Sequence, residues 1–194
     1  VGCRLPGGAN DADTFWKMLI EKRSGIVDVP SDRWNVDAFY DPNPDAIGRM
    51  RTRKGGFLPG DVFAFDPGFF DMSPREALSM DPQQRMLLQV AYEAIQNGRT
   101  TVRALQKVRT GVFVGISTVD FSVNSRHGRA GGDIFAGTGF AFSIAANRIS
   151  HRFNFNGPSM AIDTACSSAL VSIDQAVRSL SMGACDYALA GGVN

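Results

Sequence analysis

The run Gly111-Val112-Phe113-Val114-Gly115-Ile116 constrains the fold of this chain more than any other stretch. It is apolar without alternation, so a strand made from it can show neither face to water. Strands of that kind belong to parallel sheets covered by helices on both sides. Two further short apolar segments follow, Ser159-Met160-Ala161-Ile162 after the break at Gly157-Pro158, and Tyr187-Ala188-Leu189-Ala190. Between the three lie helix-like stretches. One runs from Ser143 to Ser150, and another places Ala169, Leu170, Ile173, Ala176, Val177 and Leu180 at three- and four-residue spacing up to Gly183. Strands alternating with helices predict a layered α/β sheet.

The N-terminal third is harder to place. A helix is predicted after Asp11, with Phe15, Trp16, Leu19 and Ile20 on one face and an end near Gly25. From Val27 to Gly68 the chain is rich in Pro, Asp, Gly and Arg but keeps Trp34, Phe39, Tyr40, Phe57, Phe63 and Phe65, which predicts an ordered loop region pinned by aromatics. The basic run from Arg49 to Lys54 is read as a solvated loop face, with a patch for an acidic partner as the second reading. Two helix starts then follow closely. Ser73-Pro74-Arg75-Glu76 has the form of a capping box, and Asp81-Pro82-Gln83-Gln84 repeats the device. The helix after Asp81 is expected to bury Met86, Leu87, Val90, Ala91 and Ala94 before Asn97-Gly98 stops it, and none of these residues is assigned a catalytic role.

Chemistry concentrates in Asp163-Thr164-Ala165-Cys166-Ser167-Ser168-Ala169, where a cysteine sits between the apolar segment 159–162 and the amphipathic run after it. The pattern reads as strand, sharp turn and helix with sulfur at the joint. Backbone N–H groups at a helix start favour an anion, so a thiol there is disposed to ionise and act as a nucleophile, and the N–H of the turn offers half of an oxyanion hole. Small neighbours would let a substrate carbonyl come close. The competing reading is that Cys166 is a buried small residue, where free cysteines commonly sit. The local pattern leaves both open.

Composition restricts the classes of function. The net charge of +1 does not call for nucleic acid, and no apolar run approaches the about 20 residues needed to cross a bilayer. No signal peptide is visible, so a soluble, cytoplasmic protein with no membrane partner is expected. The 3 cysteines show no paired metal-type spacing, which argues against a disulfide framework or a zinc site and leaves Cys3 and Cys185 as structural or incidental.

Several motifs, in order and at matching spacing, resemble one family. Asp163 to Leu170 looks like the nucleophile motif of the β-ketoacyl synthases, specifically the ketosynthase domains of modular polyketide synthases. Phe69-Phe70-Asp71-Met72-Ser73-Pro74-Arg75-Glu76-Ala77, Met80-Asp81-Pro82-Gln83-Gln84-Arg85 and Glu93-Ala94 are similar to its N-terminal signature. Gly2-Cys3-Arg4-Leu5-Pro6-Gly7-Gly8, Gly137-Thr138-Gly139, Ala145-Ala146-Asn147-Arg148-Ile149-Ser150 and Ala190-Gly191-Gly192-Val193-Asn194 match as well, so the resemblance spans nearly the whole chain.

The resemblance implies a thiolase-like fold with layers α/β/α/β/α, of which residues 1–194 would be the N-terminal half, a single partial domain truncated at both ends. It implies that Cys166 accepts an acyl chain as a thioester, its own N–H forming half of the oxyanion hole. Decarboxylative Claisen condensation with a malonyl-type unit would follow, an acyltransferase reaction of polyketide or fatty acid synthesis. Substrates would arrive on the phosphopantetheine of an acyl carrier protein, with acyltransferase and other synthase domains as partners and a homodimer as the complete form. No cofactor or metal is implied. The family's two catalytic histidines, in motifs His-Gly-Thr-Gly-Thr and Asn-Ile-Gly-His, have no counterpart in the sequence; the contexts of His127 and His151 do not match, and both are read as surface or helix-end residues. The fragment alone is therefore expected to be incomplete for catalysis.

Gly137-Thr138-Gly139-Phe140-Ala141-Phe142-Ser143 departs from the family's Gly-Thr-Gly-Asn-Ala-Leu-Ser. Phe140 and Phe142 add bulk near what resembles the pocket and dimer seam, and are candidate substrate-binding residues; repacking of a helix is the preferred explanation. Three other readings compete. A thiolase or chalcone-synthase-like enzyme would take coenzyme A thioesters but lacks the Met80-to-Arg85 signature. A non-catalytic partner of the chain-length-factor kind usually lacks the cysteine. The third is a dimerisation-competent half with a bare apolar face.

Overall fold

The computed structural model describes residues 1–126 and 134–194, which form two compact units, Val1–Val62 and Phe63–Asn194. In the first unit Asp11 caps helix α1 (Ala12–Ile20) in a reciprocal box, accepting from Thr14 N at 2.7 Å while Asp11 N donates to Thr14 Oγ1 at 3.2 Å. The helix starts where the sequence put it but ends at Ile20 rather than near Gly25, and its apolar face is bare: Trp16, Leu19 and Ile20 are exposed. The segment read as loop contains a short antiparallel pair, β1 (Ile26–Asp28) with β2 (Lys54–Gly56), and otherwise follows expectation. Each strand is three residues long and glycine occupies two positions of β2, so no alternating pattern could announce them.

Aromatics do pin the loops around that pair. Trp34 meets Phe57 edge-on at 5.5 Å between centroids, and the Arg53 guanidinium lies 4.8 Å above the Tyr40 ring. The basic run is largely consumed within the loop. Arg49 donates to Ala38 O, Arg53 pairs with Asp37, and Lys54 Nζ lies 3.3 Å from Asp28 Oδ1. That arrangement favours the loop-face reading over a patch for a partner.

The second unit opens on α2 (Pro74–Ser79), α3 (Pro82–Asn97) and the single turn α4 (Val102–Leu105), then β3 (Thr110–Gly115). Helices α5 (Asp120–Arg126), α6 (Ala136–Phe140) and α7 (Phe142–Phe153) lead to β4 (Ser159–Ile162), and α8 (Ser168–Ser181) leads to β5 (Tyr187–Gly192). The three strands are parallel in the order β4-β3-β5. Moving from β3 to β4 and from β4 back to β5 are steps in opposite directions, and right-handed crossovers then place α7 and α8 on opposite faces of the sheet. Every residue of β3 is buried, as its unbroken apolar run required.

The alternation along β3 divides the core. Val112, Val114 and Ile116 join Ala145, Ala146, Ile149 and Phe153 of α7 and Leu88 and Ile95 of α3, while Phe113 packs with Ala176 and Cys185. Rings of Phe65, Phe69, Phe70, Tyr92, Phe153 and Phe155 extend the first cluster in successive contacts.

Two helices bury a face other than the expected one. On α3 the deeply buried residues are Gln84, Arg85, Leu88 and Ile95, and Met86, Leu87, Val90, Ala91 and Ala94 are only half-buried. The start of that helix lies among backbone carbonyls that need donors, so polar side chains fill it. Arg85 donates to Met80 O, Phe63 O and Leu78 O. On α8 the reversal is larger. Ser168, Ser172, Ala176 and Ser179 face inward, while Leu170 is 72 % and Val177 55 % exposed.

Small residues win the inward face because the sheet leaves no room for larger ones. A Cβ on Gly115 would lie 2.5 Å from the Ser168 carbonyl carbon, and the Ser172 hydroxyl is shared between Ala169 O and Gly191 O at 2.7 and 2.8 Å. The apolar stripe is thus left exposed in this chain.

The amino ends of β3 and β5 are tied by Arg109 and Asp186. The guanidinium takes both carboxylate oxygens and also Gly183 O, holding the Asp186 carboxyl below its ordinary value. A carboxylate with a lowered folded-state value adds stability above the ordinary carboxylate range and loses it as pH falls through the lowered value. Asp186→Asn is therefore expected to lower the denaturation midpoint slightly at neutral pH and to change nothing in strong acid; equal effects at both pH values in urea titrations would refute the coupling.

Candidate active site at the joint of strand β4 and helix α8

Cys166 lies in a 3₁₀ turn, Ala165–Ser167, that runs directly into α8, four residues beyond the end of β4. It is exposed, which removes the buried-packing reading. The turn is sharp because Ala165 takes a left-handed conformation, φ +56°, a state that costs a non-glycine residue energy and persists only where neighbours hold it.

Those neighbours are short hydroxyl and carboxylate side chains of the motif itself. Asp163 Oδ1 accepts from Ala165 N at 3.0 Å, and Ser167 Oγ lies 2.9 Å from both Thr164 O and Thr164 Oγ1. Ser168 acts as a latch across the turn. Its hydroxyl accepts from Thr164 N at 2.9 Å and donates to Ala165 O at 2.7 Å. Each polar residue around the sulfur is thereby engaged in shaping the backbone, and the thiol projects from a fixed elbow. The N–H groups of Thr164, Ala165, Ser167 and Ser168 are taken up in the turn, so the Cys166 N–H is where an oxyanion formed at the sulfur would find a donor.

The surrounding geometry follows from the sheet. Gly115 pairs with Ile162, Ile116 N donates to Ile162 O at 3.1 Å, and Val193 N donates to Gly115 O at 3.0 Å. Segments 116–119, 163–167 and 193–194 therefore leave the three strands at one end, the carboxyl end, where open parallel sheets form ligand crevices. Helix α7 runs back along the sheet, which puts its first residue, Phe142, and the end of α6 at that same end.

The other sequence-predicted residues fall as follows. Phe142 is half-buried and packs against the main core cluster, in keeping with repacking, and Phe140 is half-buried at the end of α6. His151 is exposed in the last turn of α7, a helix-end residue as expected, and His127 lies outside the described residues. Cys185 is 2 % exposed and packs beside Phe113, whereas Cys3 is half-buried with Sγ 3.8 Å from Ala9 O.

Sequence reasoning gave no part to the polar cluster at the start of α3. Arg148 reaches Glu76, Gln84 Oε1 at 2.7 Å and Thr138 O at 3.1 Å, so the Glu76 carboxylate is spent on a cross-helix ion pair. Asp81 N donates to Gly139 O at 2.8 Å, and burial pushes the Asp81 carboxyl above its ordinary value although Gln83 donates two hydrogen bonds to it. The sequence signal was the presence of Gln83, Gln84 and Arg85 together in the first turn of a helix that also carries an apolar set.

The model of the β-ketoacyl synthase N-terminal domain matches residues 1–194. The chain belongs to that family. Among curated relatives, this ketoacyl synthase chain is 47% identical over 193 residues to a phenolphthiocerol/phthiocerol polyketide synthase protein of Mycobacterium tuberculosis, covering all of itself and 10% of that protein. It is 43% identical to a spectinabilin polyketide synthase system protein of Streptomyces orinoci, of which it covers 8%. The chain thus spans about a tenth of the length of such relatives.

Solved structures agree. The oxazolomycin ketosynthase domain from Streptomyces albus superposes with a TM-score of 0.88 at 41% identity, over 98% of this chain and 32% of that one. The module 6 ketosynthase of the bacillaene synthase from Bacillus subtilis gives 0.82 at 37%, over 98% and 30%. The fold of the ketoacyl synthase chain is accordingly thiolase-like and α/β.

Proposed function

We propose that the parent protein is a polyketide-synthase ketosynthase and that Cys166 is its acyl-accepting nucleophile. The observation that carries this reading is the exposed thiol on a fixed elbow at the carboxyl end of the sheet. The Cys166 thiolate attacks the carbonyl of an acyl thioester carried on the phosphopantetheine of an acyl carrier protein. The carbon–sulfur bond to the carrier breaks, the carrier thiol leaves, and the chain remains on Cys166 as a new thioester. Sulfur suits both halves of the cycle, since it is a soft nucleophile and a fair leaving group. The Cys166 N–H supplies one donor, half of the hole for the tetrahedral oxyanion.

Condensation then needs a carbanion, formed when a malonyl-type unit breaks its bond to the carboxylate and loses carbon dioxide; that carbon bonds to the acyl carbonyl, the carbon–sulfur bond to Cys166 breaks, and the free thiolate is released. Assistance to that decarboxylation falls to groups of the complete domain, a homodimer working with acyltransferase and other synthase domains. Incubating the full-length synthase with an acyl thioester and mapping the adduct by mass spectrometry tests the first half. Label confined to Cys166 is expected; label shared equally with Cys3 and Cys185 would overturn an activated site.

A further inference from the structure

The start of α3 carries two adjacent glutamines that reach two different loops. Gln83 Nε2 donates to Asp81 Oδ2 at 3.2 Å and to Thr118 O at 3.1 Å, while Gln83 Oε1 accepts from Thr118 Oγ1 at 3.0 Å. One amide thus grips Thr118 through both backbone and side chain. The sense of the amide is set by the Thr118 carbonyl, because a carbonyl oxygen can only accept, so the NH₂ end must face it and the amide oxygen is left for the threonine hydroxyl. Gln84 turns the other way, with Nε2 3.4 Å from both Thr138 O and Ala141 O.

A glutamine that merely satisfied its own burial would need one or two partners on its own helix or next to it. Gln83 instead closes a two-way bridge to a residue 35 positions away, three residues beyond the end of β3. That end of β3 is paired with the end of β4, from which the cysteine elbow departs. Segments 117–119 and 163–167 therefore leave neighbouring strands at the same end of the sheet, the end where open parallel sheets form ligand crevices, so the placing of one bears on what can be presented to the other.

We propose that Gln83 is a positioning residue: its two-way grip on Thr118 fixes segment 117–119 as the wall along which an acyl donor is aligned for attack by Cys166. This rests on the reading of Cys166 as acyl acceptor. The grip acts on alignment, so its loss slows acyl transfer more than it loosens the fold, because small displacements of a positioning wall are costly to a reaction that depends on approach geometry.

The test uses the full-length synthase in single-turnover acylation of Cys166 over a range of acyl-thioester concentrations, separating the saturating rate from the half-saturating concentration. Gln83→Leu keeps length and removes both bridges, Thr118→Val removes the hydroxyl alone, and Thr118→Ser restores it. Gln106→Leu is the control for lost stability, since the half-buried Gln106 donates to Phe153 O at 3.0 Å at the opposite end of the sheet. Gln83→Leu and Thr118→Val are expected to lower the ratio of rate to half-saturating concentration about tenfold. Thr118→Ser should return within about twofold of wild type, and Gln106→Leu should lose thermal stability with unchanged kinetics.

Wild-type kinetics in both Gln83→Leu and Thr118→Val, or equal slowing by Gln106→Leu, would overturn the positioning role while leaving the nucleophile in place. Absence of any adduct on wild-type Cys166 would overturn the acyl-acceptor reading, and the positioning role with it. Should Gln83→Leu fail to fold, Thr118→Val and its serine rescue decide the matter.

Discussion

Cys166→Ala in the full-length synthase is expected to abolish the acyl adduct and to lower condensation by about a thousandfold or more, with the fold intact. The size of the loss follows from covalent catalysis, since no other group at the elbow can both attack a thioester and later leave. Ser167, the nearest hydroxyl in sequence, is held by Thr164 and its oxygen is far less nucleophilic than a thiolate. The intact fold follows from exposure. The Cys166 side chain is not part of either core cluster, so its truncation should change unfolding free energy by no more than about 0.5 kcal/mol. Intact-protein mass spectrometry and product analysis read the chemistry, and urea denaturation reads the fold. Full labelling of the alanine variant would remove Cys166 from the reaction.

Gly115→Ala carries the second large effect, and it joins stability to chemistry. A Cβ there would sit 2.5 Å from the Ser168 carbonyl carbon and 2.6 Å from Ala169 N, both backbone atoms of the first turn of α8. No side chain can rotate out of the way. The helix start must lift from the sheet, and the expected loss is about 3 kcal/mol. Lifting that turn also disturbs the Ser168 latch to Thr164 N and Ala165 O, so the elbow loses the bonds that hold Ala165 in its left-handed state. Acylation of Cys166 should slow about tenfold even at temperatures where the variant remains folded. Wild-type denaturation midpoint and wild-type acylation together would show that the close approach of helix to strand is not needed.

Much of the scaffold was legible because its signals are local. The unbroken apolar run of β3, the proline-flanked start of β4 and the glycine stop after α8 each report the environment of their own residues. The elbow was legible as a strand-turn-helix pattern, though the pattern placed the sharpness at the cysteine, and the backbone takes the left-handed state one residue earlier, at Ala165. What escaped was non-local. Which face of α3 meets other chain segments depends on carbonyls supplied by Phe63, Leu78, Thr118 and Thr138, and hydropathy holds no record of them. The β1–β2 pair escaped because three-residue strands carry too few positions for any period.

Helix α8 inverts the usual map between hydropathy and tolerance. Its buried Ser168, Ser172 and Ser179 are the positions a substitution scan would find fragile, because they set how near the helix that follows Cys166 can lie to the sheet. Its exposed Leu170, Ile173, Val177 and Leu180 would accept polar residues in this chain without loss of that spacing. A designer ranking positions by side-chain type would protect the wrong half of the helix, and would move the cysteine by altering residues that look like surface.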